Sequence, residues 1–160
     1  VPAVPPLSVT DDHGREIEIR PYRDADFTAL VEMYEAFDPT QRAQGVPPTD
    51  SEGVREWVTE SLGESDVLAL HDERVVGHVS FVPDGTGRHE LAIFVHQDYQ
   101  QAGIGSALLA AGLGDARQNG IEYVWLSVER CKRYQQRFYN RAGFRAVKPA
   151  GIAYRMTRTL

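Results

Sequence analysis

The sequence predicts an α/β fold in which one mixed β-sheet has helices on both faces. Short apolar runs rich in β-branched and aromatic residues recur along the chain, and between them lie stretches with apolar residues at three- and four-residue spacing. Two of the short runs are joined by a turn at Asp72-Glu73, which indicates an antiparallel hairpin. Another run, at residues 91–95, leads through closely spaced glycines into a helical pattern. Elements in this order are typical of a sheet covered by helices on both sides.

Length and charge limit the classes of protein to consider. The 160 residues suffice for one domain with a real core, and the net charge of −6 without a basic stripe argues against a nucleic-acid ligand. An acidic balance suits a cationic substrate such as an amine. The single cysteine, Cys131, excludes an internal disulfide. No run approaches the ~20 apolar residues of a membrane span, and no signal-peptide pattern opens the chain. We therefore expect a cytoplasmic protein that does not bind membranes.

The N-terminal part of the chain predicts an arm, a strand and a helix. Residues 1–15 contain three prolines and no periodicity, so we expect a flexible arm before a single domain at residues 16–160. Residues 16–20 alternate polar with apolar and predict a half-buried strand that ends at Pro21. Asp24 is a candidate N-cap for a helix that Asp38-Pro39 ends. That helix has one apolar face, formed by Phe27, Leu30, Val31 and Tyr34.

The middle of the chain predicts a loop, a helix and a hairpin. Residues 39–48 show no pattern and contain prolines and a glycine, so they form a loop. Thr49 and Glu52 have the spacing of a capping box, and the helix after them has an apolar stripe at Val54, Trp57, Val58 and Leu62. Residues 67–70 and 75–82 are the two hairpin strands, and residues 83–87 form the next turn.

The remaining elements alternate strands and helices. A strand at residues 91–95 precedes a helix at residues 103–118, which Asn119-Gly120 ends. A buried strand at residues 123–128 is followed by a helix at about residues 131–142 and by strands at residues 144–147 and 153–157. The predicted order is β-α-α-β-β-β-α-β-α-β-β, with no repeat and no internal domain boundary.

The glycines between the strand at 91–95 and its helix indicate an anion site. A helix that starts directly after a tight turn directs free N–H groups and its positive dipole end outward, which suits a phosphate. A phosphate-binding loop of the Walker A type needs a lysine, and none lies near Gly103 and Gly105. A dinucleotide-binding fingerprint needs a third glycine, and Leu108 stands in its place.

Two motifs resemble those of the Gcn5-related N-acetyltransferases, the GNAT superfamily. The segment Q-Q-A-G-I-G at residues 100–105 resembles the family's Q/R-x-x-G-x-G/A loop, and F-Y-N-R-A-G-F at residues 138–144 resembles its F/L-Y-x-x-x-G-F signature. The order of elements over residues 16–158 also matches. The resemblance implies a mostly antiparallel sheet of six to seven strands flanked by about four helices. It further implies transfer of an acetyl group from acetyl-coenzyme A (acetyl-CoA) to a primary amine, without a metal.

The resemblance also assigns residues to the cofactor. Loop amides hold the pyrophosphate in that family, and the backbone of one strand pairs with the pantetheine arm. Carried over, the strand contributes Phe94 and Val95, with an amide near Val95 stabilising the oxyanion. The loop contributes Gln100, Gln101, Ala102, Gly103, Ile104, Gly105 and Ser106. The family often has an asparagine seven residues before the signature tyrosine, where this chain has Lys132; Lys132, Arg130 or Arg133 could contact a phosphate instead, or form a solvated basic turn.

The same resemblance indicates a candidate general base and a candidate general acid. An amine with a pKa of ~10 is mostly protonated at pH 7, so a carboxylate helps to remove its proton. Glu90, at the head of the strand, is the candidate base, and Glu129 is the alternative. Tyr139 matches the signature tyrosine that protonates the leaving thiolate, although a packed aromatic residue is the simpler structural interpretation.

Several questions stay open at this stage. The acceptor is a small-molecule amine or a protein lysine, and Trp57 and Tyr34 either line its cleft or pack in the core. A non-catalytic module that senses acetyl-CoA is the alternative to an enzyme. No metal-ligand spacing links the histidines and Cys131. Dimers are common in the family, so a homodimer that pairs the strands from Phe144 onward is compatible with the resemblance.

Overall fold

The computed structural model of the protein describes residues 2–38, 48–129, 132–150 and 153–160, without the side chains of residues 129, 148–150, 153 and 154. The eight strands are β1 (Leu7–Thr10), β2 (Glu16–Pro21), β3 (Asp66–His71), β4 (Arg74–Pro83), β5 (His89–Val95), β6 (Tyr123–Glu129), β7 (Arg145–Ala150) and β8 (Ala153–Thr159). The four α-helices are α1 (Phe27–Glu35), α2 (Ser51–Ser61), α3 (Ile104–Gln118) and α4 (Arg133–Arg141). This order confirms the predicted one and adds a strand at its start.

All eight strands form one sheet in the order β1-β2-β3-β4-β5-β6-β8-β7. Each neighbouring pair is antiparallel except β5 and β6, which are parallel. The predicted mixed and mostly antiparallel sheet is therefore confirmed, with eight strands where six to seven were expected. The parallel pair requires a crossover, and α3 supplies it.

The additional strand lies inside the segment that was expected to be an arm. β1 pairs with β2 at the edge of the sheet, with Leu7 opposite Ile19 and Val9 opposite Ile17. Its four residues are too few for a periodic signal, and the prolines before them favour an irregular segment when only the local sequence is considered. Pairing with the apolar side chains of β2 decides the structure instead.

Two predicted helix caps were wrong. Asp24–Asp26 forms a 3₁₀ turn, and α1 starts only at Phe27, because the Asp26 carboxylate binds the Arg20 guanidinium at 2.7 and 2.8 Å and the Arg23 N–H at 2.8 Å. At α2 the cap is Asp50, whose carboxylate accepts from the Gly53 N–H at 2.9 Å, and not Thr49. α1 also ends at Glu35, before Asp38, and residues 39–47 of the predicted loop lie outside the described residues.

The predicted turn between β3 and β4 is confirmed. Asp72 and Glu73 have φ values of 48° and 69°, so both occupy the left-handed region that a two-residue hairpin turn of type I′ requires. Neither residue is glycine, and each pays a conformational penalty of roughly 1 kcal/mol there. The long β3–β4 ladder on either side offsets that penalty.

The sheet separates two apolar clusters. On one face, called here the α3 face, α3 packs against inward residues of β2 to β6 and β8. On the other face, the α1 face, α1 and α2 pack against β3 and β4. Gly112 allows α3 to approach the sheet closely, because a Cβ atom at this position would lie 2.6 Å from Cγ1 of Val79. This mid-helix glycine thus serves the packing of α3 against β4. None of the helices that the structure describes is long and apolar enough to cross a membrane.

Candidate active site

A wedge opens in the sheet between β5 and β6. Their parallel pairing covers only two residue pairs, His89 with Val124 and Glu90 with Trp125. Beyond these pairs β5 continues beside β4 as far as Val95, and β6 continues beside β8. The two strands therefore diverge, and backbone groups on both walls of the wedge face a gap that a ligand can enter.

The pleat of β5 shows which backbone groups face the wedge. The His96 N–H donates to the carbonyl of Val76 on β4 at 2.9 Å. Because the N–H and C=O of a strand residue share one side and alternate along the chain, Phe94 also faces β4, whereas Ile93 and Val95 face the wedge. The Val95 carbonyl there accepts a hydrogen bond from Nε2 of Gln100 at 3.0 Å.

The start of α3 lies at the open end of the wedge. Gly103 has a φ of 86°, and Gln101 has a φ of 56°, which is a strained value for a residue with a side chain. The Ala107 N–H donates to the Gly103 carbonyl at 3.4 Å as the first bond of the helix. The N–H groups of residues 104–106 precede that bond and have no acceptor within the helix. These groups and the helix dipole can bind an anion such as a pyrophosphate.

The loop before α3 is fixed on three sides. Ala102 and Ile104 are buried in the core, and the Ala102 carbonyl accepts from the Asp12 N–H at 2.9 Å. A Cβ atom at Gly105 would lie 3.7 Å from the Phe138 ring, so α4 reaches the start of α3 and covers the wedge on the α3 face. The loop geometry is thus set without a ligand, which favours binding by pre-organisation.

Glu90 lies at the closed end of the wedge, on the α1 face. Glu90 is exposed, and it is paired with Trp125 of β6. Burial raises the pKa of the Glu90 carboxyl, Arg155 opposes this increase, and Asp84 adds to it. A carboxylate with a raised pKa is a better base for an ammonium proton, provided that it stays ionised at the working pH.

Tyr139 lies on the α3 face. Its ring contacts the rings of Phe138 and Phe144, with centroid distances of 5.1 and 5.8 Å. Burial raises the pKa of the Tyr139 hydroxyl to about 12. Within the part of the chain that the structure describes, this hydroxyl has no hydrogen-bond partner. It is also not among the polar atoms that are fully shielded from solvent without a partner. It therefore remains protonated near neutral pH and has a free proton to donate.

The two candidate catalytic residues thus lie on opposite faces of the sheet at the wedge. Side chains of β5 alternate between the two faces of the sheet: Leu91 packs in the α3-face cluster, and Phe94 packs in the α1-face cluster. Glu90 and Phe94 are four residues apart and therefore lie on the same face, the α1 face. A reactive group in the wedge would have a base on one side and an acid on the other.

The other predicted residues contribute less. Lys132 is the N-cap of α4, and its carbonyl accepts from the N–H groups of Gln135 and Gln136. The backbone of Glu129 ends β6, but its side chain is not among those described, and Arg130 and Cys131 lie outside the described residues. The choice between Glu90 and Glu129 therefore stays a prediction. No group of three potential metal ligands occurs among the residues that the structure describes.

Sequence reasoning missed a buried polar chain on the α1 face. The Tyr34 hydroxyl lies 2.7 Å from Nδ1 of His78, and Nε2 of His78 lies 2.8 Å from Oδ1 of Asp66. All three residues are buried. Tyr34 is therefore a core residue, while Trp57 and Phe94 stack edge-on against its ring at 4.8 and 5.4 Å. The three residues are separated by up to 44 positions, so no local pattern connects them.

The chain resembles known acetyltransferases in sequence. The sequence model described as "Acetyltransferase (GNAT) family" matches residues 29–144. A mycothiol acetyltransferase from Propionibacterium freudenreichii subsp. shermanii is 30% identical over 135 residues, which is 79% of this chain and 42% of that protein. The chain thus spans less than half the length of this curated relative.

Solved structures share the fold. The GNAT domain of S. lividans PAT superposes with a TM-score of 0.80 at 20% identity, over 96% of each chain. The yncA protein of Salmonella typhimurium, solved with its cofactor acetyl-CoA, has a TM-score of 0.70 at 22% identity, over 89% of this chain and 93% of that one. At this level of identity the likeness concerns the fold alone.

Proposed function

This chain belongs to the acetyltransferase (GNAT) family, and we propose that it is an enzyme that transfers an acetyl group from acetyl-CoA to a primary amine. The observation that carries the proposal is the wedge between β5 and β6. It has a helix start at its open end and an ionisable side chain on each face of the sheet. We take residues 16–160 as the catalytic domain, with the preceding segment as an addition to its sheet.

The residues at the wedge fit the shape of the cofactor. The pyrophosphate would bind the amides of residues 103–106, and the positive φ values at Gln101 and Gly103 direct those amides outward. The pantetheine arm would lie along β5 as an added strand, against the wedge-facing groups of Ile93 and Val95. The resemblance assigned Phe94 and Val95 to the pantetheine arm. We retain only Val95 for this contact, because the backbone of Phe94 faces β4. The thioester would then approach the closed end, near Glu90.

The proposed reaction is direct attack within a ternary complex. Glu90 accepts a proton from the ammonium on the α1 face, and the free amine attacks the thioester carbon. An amide of the wedge-facing residues near Val95 stabilises the oxyanion. The C–S bond then breaks, and Tyr139 donates its proton to the departing thiolate on the α3 face. The nitrogen loses its second proton as the amide forms, solvent returns a proton to Tyr139, and the amide product and coenzyme A leave.

The acceptor and the alternative function are considered next to the reaction. The family relative named as a mycothiol acetyltransferase supports a small-molecule acceptor for this chain, and a protein lysine is the second candidate. A sensor that binds acetyl-CoA without turnover is the competing function. The Tyr139 hydroxyl, which has no hydrogen-bond partner among the described residues, favours the enzyme. A cytoplasmic location and a homodimer remain predictions.

Calorimetric titration with acetyl-CoA tests the cofactor, with ATP and NADH as controls. We expect micromolar binding of acetyl-CoA alone. Release of free thiol in the presence of primary amines then tests turnover, and Glu90→Gln should lower kcat/KM by about 10²- to 10⁴-fold while acetyl-CoA binding is kept. Glu122→Gln, an exposed site beside β6, is the matched control and should change neither. Binding without turnover for any amine would support the sensor.

A further inference from the structure

A cavity distinct from the wedge lies on the α1 face, beside the closed end of the wedge. Its volume is about 270 Å³, which is small for a ligand site and suits a compact molecule more than a folded segment. The turn between β4 and β5 and the outward residues of β6 and β8 form its walls. The lining residues are Asp84, Thr86, Arg88, Tyr123, Trp125 and Arg155.

Two guanidinium groups in this cavity are held in place by aromatic rings. Arg155 lies 4.0 Å from the centroid of the Trp125 ring, and Arg88 lies 4.4 Å from that of Tyr123. Stacking leaves the N–H edge of a guanidinium available to an acceptor. Neither arginine has a carboxylate at ion-pair distance within the residues that the structure describes. Each guanidinium therefore stacks on a ring, and among the described residues neither is committed to a carboxylate.

The acidic residue of the cavity is already engaged. Asp84 accepts from the Thr86 N–H at 2.9 Å, from the Thr86 hydroxyl at 2.6 Å and from Nε1 of Trp125 at 2.8 Å. These bonds fix the indole ring under Arg155. The carboxylate offsets one of the two arginine charges, so the cavity has an excess of one positive charge. An excess of one positive charge matches a monoanion such as a carboxylate better than a dianion such as a phosphate. The ionised Glu90 carboxylate nearby would repel the dianion more strongly than the monoanion.

The cavity is adjacent to the candidate base. Arg88 lies in the turn just before β5, two residues from Glu90, and it lines the cavity together with Trp125, which is the cross-strand partner of Glu90. A small molecule with a carboxylate between the two arginines would place its other end close to Glu90.

We propose that this cavity binds the carboxylate of the acceptor, so that the substrate is a small amino carboxylic acid rather than a polyamine or an uncharged amine. Arg88 and Arg155 provide the charged donors, and Asp84 positions Trp125 beneath Arg155. This inference rests on the proposed acetyl transfer and specifies its acceptor.

The binding arm of the test does not require turnover. Trp125 and Trp57 are the two tryptophans, so a Trp57→Phe protein has one indole N–H signal in an NMR spectrum, that of Trp125. Titration with β-alanine should shift this signal in a saturable way, and titration with β-alaninamide, which lacks the carboxylate, should not. Arg88→Gln and Arg155→Gln should weaken the β-alanine response by about 10- to 100-fold, whereas Arg117→Gln, a remote exposed arginine on α3, should not. Equal responses to both probes, or none to β-alanine, would overturn the inference.

The turnover arm separates this inference from the proposed function. We expect β-alanine to have a lower KM than β-alaninamide in thiol release with acetyl-CoA, and the advantage to disappear in Arg155→Gln. If both amines are acetylated equally well, the acetyltransferase proposal stands and the carboxylate site fails. If acetyl-CoA does not bind, the proposed function fails irrespective of the NMR result.

Discussion

Tyr34 and Tyr139 lie on opposite faces of the sheet, and their hydroxyl groups differ in a way that separates structure from chemistry. Burial raises the pKa of both tyrosines, to about 12 for Tyr139. The Tyr34 hydroxyl is bound to His78 in a chain that ends at Asp66, deep in the α1-face cluster. The Tyr139 hydroxyl has no such partner among the described residues and lies by the wedge.

The difference shows what an unpaired polar atom implies. A buried polar group without a partner costs about 1–3 kcal/mol, so a core normally pairs each one, as it does Tyr34. A hydroxyl left without a protein partner beside a binding cleft is available to a ligand. The two tyrosines therefore predict opposite mutational outcomes, in stability for Tyr34 and in turnover for Tyr139.

Removing the centre of the α1-face chain should have the largest effect. His78→Ala leaves the Tyr34 hydroxyl and the Asp66 carboxylate unpaired and creates a cavity, so we expect a loss of about 3–5 kcal/mol in the free energy of unfolding. Urea denaturation measures this loss. His71→Ala is the control, because His71 also binds a tyrosine hydroxyl, that of Tyr99, but is partly exposed. Equal losses for both histidines would contradict the interpretation of the chain as a core network.

Tyr139→Phe should act on turnover alone. Without the hydroxyl the thiolate leaves unprotonated, and we expect kcat to fall about 100-fold, equivalent to about 2.7 kcal/mol in the barrier. Acetyl-CoA affinity and the melting temperature should stay near those of the unmodified protein, since the lost hydroxyl bonds to none of the residues that the structure describes. Steady-state kinetics with calorimetry checks both. Unchanged kcat would remove Tyr139 from the mechanism.

Tyr34→Phe should show the reverse pattern at a smaller scale. The substitution leaves Nδ1 of His78 without its partner, which should cost about 1–2 kcal/mol of stability. The ring contacts to Trp57 and Phe94 are kept, so kcat should change less than threefold. Urea denaturation and steady-state kinetics on the same sample decide between a structural and a catalytic role for the Tyr34 hydroxyl. A large loss of kcat at unchanged stability would mean that Tyr34 contributes to chemistry.

The smallest expected effect concerns the pH dependence. Activity requires ionised Glu90, so log(kcat/KM) should rise with pH through a pKa above the usual 4.5 and then level off. Arg155 lowers that pKa, so Arg155→Gln should move the rising limb to higher pH. The profile should be measured with β-alaninamide as acceptor, which separates this effect from carboxylate binding. A limb that moves to lower pH would show that another group titrates.

The sequence predicted most of the fold because its signals are local. The apolar runs located seven of the eight strands, and Gly103 and Gly105 marked the start of α3. The caps at Asp26 and Asp50 were missed because a carboxylate can bind several nearby N–H groups and arginines, and composition does not rank them. β1 was missed because its structure depends on β2.

The candidate site was predicted only in part, for a related reason. Glu90, Tyr139 and the glycine loop belong to short motifs, and these carry a family signal. The cavity with Asp84, Trp125 and Arg155 depends on the order β5-β6-β8 and on register, which bring together residues up to 71 positions apart. No periodicity encodes that proximity.

The short pairing of β5 with β6 also affects how the protein behaves without its ligand. The divergent parts of these strands resemble two edge strands within the sheet, whose backbone groups can recruit a foreign strand. Amide protons of Ile93 and Val95 should therefore exchange with solvent faster than those of their neighbours that face β4. A bound pantetheine arm would cover this edge. Acetyl-CoA would then protect the chain against aggregation as well as supply its acetyl group.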